Sequence, residues 1–162
     1  MARCLIVGCG CRGLALTGEL RARGHAVRGT TRNPARCAEI EAAGAQAHVG
    51  DPDRVATIAP AFAHVGVTLL LLGSAHGTRE QLDALHGTRL DMLLERMLDT
   101  TVRAVVYERA GTVPEEVLAA GAERVRYACE RSLIPYVLLD VSPRDHAGWL
   151  AAAVSAVDQA FA

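Results

Sequence analysis

Six residues near the start of the chain, Gly8-Cys9-Gly10-Cys11-Arg12-Gly13, bring three glycines, two thiols and a guanidinium directly after the apolar run Leu5-Ile6-Val7. Three chemistries fit such a stretch: an anion-binding turn, a redox or metal pair of thiols, or a plain strand-to-helix connection. A basic stretch follows at Thr30-Thr31-Arg32, with Arg36 close behind. Further along, Tyr107 and Glu108 follow Val105-Val106, and His76 follows the run Leu69-Leu70-Leu71-Leu72. Phenol, carboxylate and imidazole are groups that carry protons in acid–base catalysis.

The thiols are the weaker reading. Cys9 and Cys11 are one residue apart, whereas zinc and thioredoxin-like pairs leave a two-residue gap, and no second cluster completes a four-ligand metal site. Packing at the turn is the expected role of both, although a thiol at a helix start, as at Cys11, is where a lowered pKa arises. The glycines fit G-x-G-x-x-G after a strand and before a helix, inside a unit of about thirty residues. In that setting Gly8 permits the tight turn, Gly10 lets a diphosphate approach the backbone, and Gly13 lets helix and strand pack closely. The helix start adds N–H groups and partial positive charge. The reading is a nucleotide site.

The end of the second strand bears on which nucleotide. Sites for NAD or FAD of this type place an acid there for the ribose hydroxyls; here stand Thr31 and Arg32. A carboxylate would repel a 2′-phosphate, and a guanidinium binds one through its fork of donors. Arg12 is expected to reach the same phosphate from the other side, with Arg36 as a third candidate. NADP(H) is therefore favoured over NAD(H) as the cofactor.

These residues need a scaffold. Short apolar runs predict strands at Arg3–Val7, Ala26–Thr30, Gln46–Val49, Thr68–Leu72, Arg103–Tyr107 and Tyr136–Leu139. Helical patterns lie between them at Cys11–Arg23, Pro34–Ala43, Pro52–Phe62, Arg79–Leu98 and Pro114–Ser132, with a last one at Asp145–Phe161. Strict alternation predicts an α/β fold, a doubly wound parallel six-stranded sheet in the order 3-2-1-4-5-6. Residues 1–162 are expected to form one nucleotide-binding domain with no separate substrate domain.

Composition narrows the classes. A net charge of -1 and 4% aromatic residues argue against nucleic acid or an anionic membrane as partner. The longest apolar run, near Val65–Leu72, falls short of the ~20 residues that span a bilayer. Five scattered cysteines do not make a secreted disulfide framework, and the expected location is the cytoplasm. All 17 Lys+Arg residues are arginine, so no mechanism can draw on a lysine of this chain.

The opening LIVGCGCRGLALTGELRARGHAVRGTTRNP resembles atypical and extended short-chain dehydrogenase/reductases, the group that includes NAD-dependent epimerase/dehydratase-like proteins. The resemblance continues through AHVGDPD, LLLGS, RAVVYERAG and IPYVLLDVSP. It implies that Asp51 contacts the adenine amino group and Pro52 lines its pocket. It also implies that Leu72, Gly73 and Ser74 pass beside the cofactor and that Asp140 and Asp145 flank a substrate wall. Relatives often dimerise through the helices expected at Arg79–Leu98 and Pro114–Ser132, which implies a homodimer. The family's catalytic tyrosine with a lysine four residues on cannot be assembled from this chain. Tyr127-x-x-x-Arg131 falls too far along to replace it and is assigned to helix surface or packing. Tyr107, Glu108 and His76 remain as catalytic candidates. The expected function is an NADP(H)-dependent oxidoreductase of unread small-molecule substrate; the alternative is a non-catalytic, dinucleotide-responsive regulator or interaction module. Epimerase or dehydratase chemistry ranks below both.

Overall fold

Each short apolar run becomes a strand. In the computed structural model, which describes residues 3–162, these are β1 (Arg3–Val7), β2 (Ala26–Thr31), β3 (Gln46–Val49), β4 (Val67–Leu70), β5 (Ala104–Glu108) and β6 (Tyr136–Leu139). They pair in parallel in the order β3-β2-β1-β4-β5-β6, the doubly wound order expected. A parallel sheet is covered on both faces, and alternate residues of each strand feed the two cores. Leu5 and Val7 pack with Phe62, Leu70, Leu93 and Val125 on one face. Cys4 and Ile6 pack with Leu16, Leu20, Leu69 and Trp149 on the other.

Helices α3 (Val55–Ile58), α4 (Arg79–Leu85), α5 (Thr88–Leu98) and α6 (Glu115–Arg131) lie over the first face. Helices α1 (Cys11–Ala22), α2 (Cys37–Ala42) and α7 (His146–Ala160) lie over the second. Local chemistry sets several starts. Thr78 and Gln81 form a reciprocal capping box at α4, and Asp145 accepts the Gly148 amide at α7.

Three expected helices differ from the pattern. Pro34–Arg36 is a 3-10 turn ahead of α2, and Ala59–Phe62 is another after α3, where Pro60 removes a backbone donor. The single helix expected over Arg79–Leu98 is two, broken at His86-Gly87. The break lets the His86 side chain turn inward, where it is 2% exposed. β4 also ends two residues early: the Leu71 amide still donates to the Val7 carbonyl at 3.0 Å, but the Leu71 carbonyl and the Leu72 side chain close over Gly8 in the turn after β1.

The strand order reverses between β1 and β4. In open α/β sheets the crevice beyond the strand ends at such a reversal is where ligands bind.

Candidate functional site

A cleft of about 540 Å³ opens at that point, lined by the glycine turn, the end of β2, the loop after β3 and the loop after β4. Its floor is the turn. Gly8 has φ +85, and a Cβ there would stand 2.7 Å from the Leu71 carbonyl oxygen, so the position requires glycine. The turn is tied to β2: the Gly8 amide donates to Thr30 Oγ1 at 3.2 Å and the Cys9 amide to the Thr30 carbonyl at 3.1 Å. Gly13 packs against Ile6 and Cys9, with Ile6 Cγ2 3.3 Å from a notional Cβ. Gly10 is different: a Cβ there would meet nothing within 4 Å. That open space is the approach a diphosphate needs. No side chain caps α1, so its first-turn amides keep their donors for a ligand.

At the end of β2 the Thr31 hydroxyl accepts the Asn33 amide at 3.1 Å. Arg32 is exposed on the cleft rim and has no ion pair among the described residues. Arg36 also lines the cleft and pairs with Glu39 at 3.3 Å. The acids of the lining, Asp51 and Asp53, follow β3 rather than β2. Asp51 is held by its neighbours, accepting the Asp53 amide on Oδ1 at 2.9 Å, and Pro52 lies beside it in the wall.

The β4–β5 side departs most from expectation. Arg12 was expected to reach toward Arg32; it turns the opposite way. Its Nη2 donates to both oxygens of Glu108, each at 3.0 Å, and the guanidinium lies 5.2 Å from the centroid of the Trp149 ring. Glu108 also accepts the Gly73 amide at 2.8 Å and the Trp149 indole N–H at 2.9 Å. Its side chain is wholly buried. Burial raises its pKa, against the opposing pull of Arg12, the Gly73 amide and Trp149. Neither Glu108 nor Tyr107 lines the cleft. Tyr107 and Glu108 are withdrawn into the core, and the neighbouring Arg109 pairs with Glu115 and Asp140. Gly73 is likewise behind the wall rather than in it, pressed against Ala110 and Glu108, while Leu72, Ser74 and His76 line the cleft.

Tyr107 meets a residue that sequence reasoning missed. Its hydroxyl lies 2.6 Å from His86 Nδ1, and His86 Nε2 lies 3.0 Å from the Leu72 carbonyl oxygen. A carbonyl only accepts, so Nε2 carries the proton and Nδ1 accepts from the phenol. Burial lowers the His86 pKa and raises that of Tyr107. The one local signal for this was Gly87 inside an otherwise helical stretch.

The two thiols of the turn part company. Cys9 is buried between Gly13 and Gly29, and burial pushes its pKa up to about 11. Cys11 is exposed in the cleft, so the packing role expected of it does not hold. Among the described residues no group of three His, Cys, Asp or Glu side chains is placed to hold a metal ion, and no helix is long and apolar enough to cross a membrane. Tyr127 and Arg131 meet at the groove between α5 and α6, 3.3 Å apart.

The sequence model of the NAD(P)H-binding family matches residues 8–134, from the first glycine of the turn to the loop before β6. The chain belongs to that family. Its fold is shared with a short-chain dehydrogenase/reductase superfamily protein from Agrobacterium tumefaciens solved with bound NAD, at a TM-score of 0.68 and 20% identity, covering 84% of this chain and 48% of that one. It is also shared with the Citrobacter sp. triphenylmethane reductase solved with NADP(H), at 0.64 and 21%, covering 85% and 48%. UDP-glucose 4-epimerase from Thermotoga maritima, solved with UDP-glucose, aligns at 0.70 and 10%, covering 84% and 54%. The chain thus spans about half the length of these structures. No curated protein matches its sequence significantly. Family and fold make this an NAD(P)H-binding protein with a Rossmann fold.

Proposed function

We propose that this chain binds NADP(H) in preference to NAD(H) and serves an oxidoreductase that works without the tyrosine–lysine dyad. The observation that carries the preference is Arg32: it stands exposed at the end of β2, no acid of β2 accompanies it, and no ion pair among the described residues occupies it. The amides of residues 11 to 13 take the diphosphate, Arg32 and Thr31 take the 2′-phosphate, and Asp51 and Pro52 take the adenine. The bound dinucleotide supplies the hydride. Against the nicotinamide half this chain offers Leu72, Ser74 and His76. With Tyr107 and Glu108 buried, His76 is the imidazole of the lining that can carry the accompanying proton. The substrate is a small molecule, the setting is cytoplasmic, and two copies associate through α5 and α6. Asp91 and Glu95 of α5 and Arg124 and Arg131 of α6 line the groove between those helices, where Asp91 pairs with Arg124 within the chain.

Calorimetric titration with NADPH and NADH tests the reading. NADPH should bind about tenfold or more tightly than NADH, and Arg32→Ala should bring the two together, as loss of a charge-assisted contact worth about 1.5–3 kcal/mol requires. Equal losses for both dinucleotides in Arg32→Ala would reject the 2′-phosphate assignment.

The withdrawal of Tyr107 and Glu108 from the cleft favours a second reading, a dinucleotide-responsive module without turnover. NADPH oxidation with any member of a broad carbonyl panel rejects it.

A further inference from the structure

We propose that Glu108 is a positioning residue for the dinucleotide's diphosphate, setting the distance between the two walls of the cleft through Arg12 and Gly73. The inference rests on the dinucleotide reading above and adds to it a residue outside the cleft.

A carboxylate removed from water is costly unless every lone pair is met. At Glu108 four hydrogen bonds meet it, and their donors belong to three different elements. Arg12 stands in the first turn of α1, Gly73 in the loop after β4, and Trp149 in α7. The first two flank opposite sides of the cleft, and their sequence positions lie 96 and 35 residues from Glu108, so no local structure holds them together. Contact is tight on the Gly73 side, where a Cβ would come 2.9 Å from both Glu108 Cγ and Oε1.

A buried ion pair contributes little net stability compared with an apolar filling of the same space. Registry is what this one adds. Arg12 shares its turn with the amides that face the open space at Gly10, and Nη2 is committed to Glu108 while the guanidinium borders the cleft. Trp149 fixes the carboxylate in turn to α7, which packs on α1. One side chain therefore couples the amide floor, the β4 loop and the helix behind them. Without it the turn and the loop relax independently, and pre-organisation for a diphosphate is lost.

Glu108→Gln removes the charge and sets an amide N–H₂ against donors. Arg12→Lys keeps a cation but ends one bond short of Nη2, so it breaks the tether without removing charge. Each variant is melted by circular dichroism to establish that it is folded at the assay temperature. It is then titrated with NADPH, NADH and adenosine 2′-monophosphate, which carries adenosine and the 2′-phosphate but neither phosphate of the diphosphate. NADPH and NADH should weaken alike by about tenfold, with adenosine 2′-monophosphate within about twofold of wild type. A folded variant that binds NADPH as wild type does, or more tightly, overturns the inference. So do equal losses for all three ligands, which mark general loosening. If Glu108→Gln does not fold, Arg12→Lys decides by the same outcomes. Wild-type chain that binds no dinucleotide rejects the reading of the cleft and this inference with it. Wild-type binding with unaltered variants rejects the inference alone.

Discussion

Tyr107→Phe removes one oxygen from the interior, and its consequences can be worked through from the contacts. Tyr107 is 0% and His86 2% exposed. The lost hydroxyl leaves His86 Nδ1 in the core without a donor, since Nε2 is already committed to Leu72. It also leaves a void over Gly121, where a Cβ would collide with the phenol oxygen. Stranding a buried acceptor costs about 1–3 kcal/mol. For a domain of this size, about 2 kcal/mol lowers Tm by about 4–8 °C. The same histidine makes stability pH-dependent. Burial lowers its pKa in the folded chain below the ordinary value near 6.5. The unfolded chain then binds a proton that the folded chain refuses, so the stabilisation is complete above that value. It is lost as pH falls from there toward the folded pKa. Thermal melts at pH 8 and at mildly acidic pH measure both effects. His86→Gln, whose amide can donate to Leu72 and accept from Tyr107, should lose the histidine's share of the acid dependence. Tyr107→Phe should retain it, because burial and not the phenol causes the shift. A Tyr107→Phe protein melting with wild type, or an unchanged pH slope in His86→Gln, would refute this account of the cluster.

The glycine turn makes two opposite predictions. Gly10→Ala, at φ −85 with open space around it, should change stability by less than about 0.5 kcal/mol while weakening both dinucleotides, because the added methyl stands where the diphosphate approaches. Gly8→Ala, at φ +85 against the Leu71 carbonyl, should cost about 1–3 kcal/mol of stability in denaturant melts. With a carbonyl substrate that wild type reduces, His76→Gln should lower kcat by about 10²-fold or more and leave NADPH binding intact; full activity would remove His76 from the mechanism. Light scattering at micromolar concentration should give twice the mass of one chain, and a monomer would remove the α5–α6 interface.

The scaffold was legible because hydrophobic periodicity reports burial on both faces of a strand. Arg3–Val7, Gln46–Val49 and Tyr136–Leu139 have the bounds read from the sequence, and the strand order follows from alternation and right-handed crossovers. The helix break at His86-Gly87 was hidden because Leu82, Leu85, Leu90 and Leu93 continue an apolar stripe across it. The glycine turn was legible because its residues are contiguous. The partnership of Arg12 with Glu108 was not, because the two lie 96 residues apart and each has nearer residues of opposite charge in sequence. Reading Arg12 toward Arg32 followed from proximity along the chain; the buried carboxylate across the crevice outcompetes it. Reading Tyr107 and Glu108 as exposed at a strand end failed for a related reason. α7 and α6 cover that end of β5 and supply Trp149 and the space at Gly121.

The central claim is that main-chain amides at the start of α1 hold a diphosphate while Arg32 holds a 2′-phosphate. Crystals grown with excess NADPH test it most directly. Diphosphate oxygens within hydrogen-bond reach of the amides of residues 11 to 13, with the 2′-phosphate on the Arg32 guanidinium, are the predicted density. A cleft that stays empty, or a 2′-phosphate seated on Arg12 or away from any arginine, would contradict it.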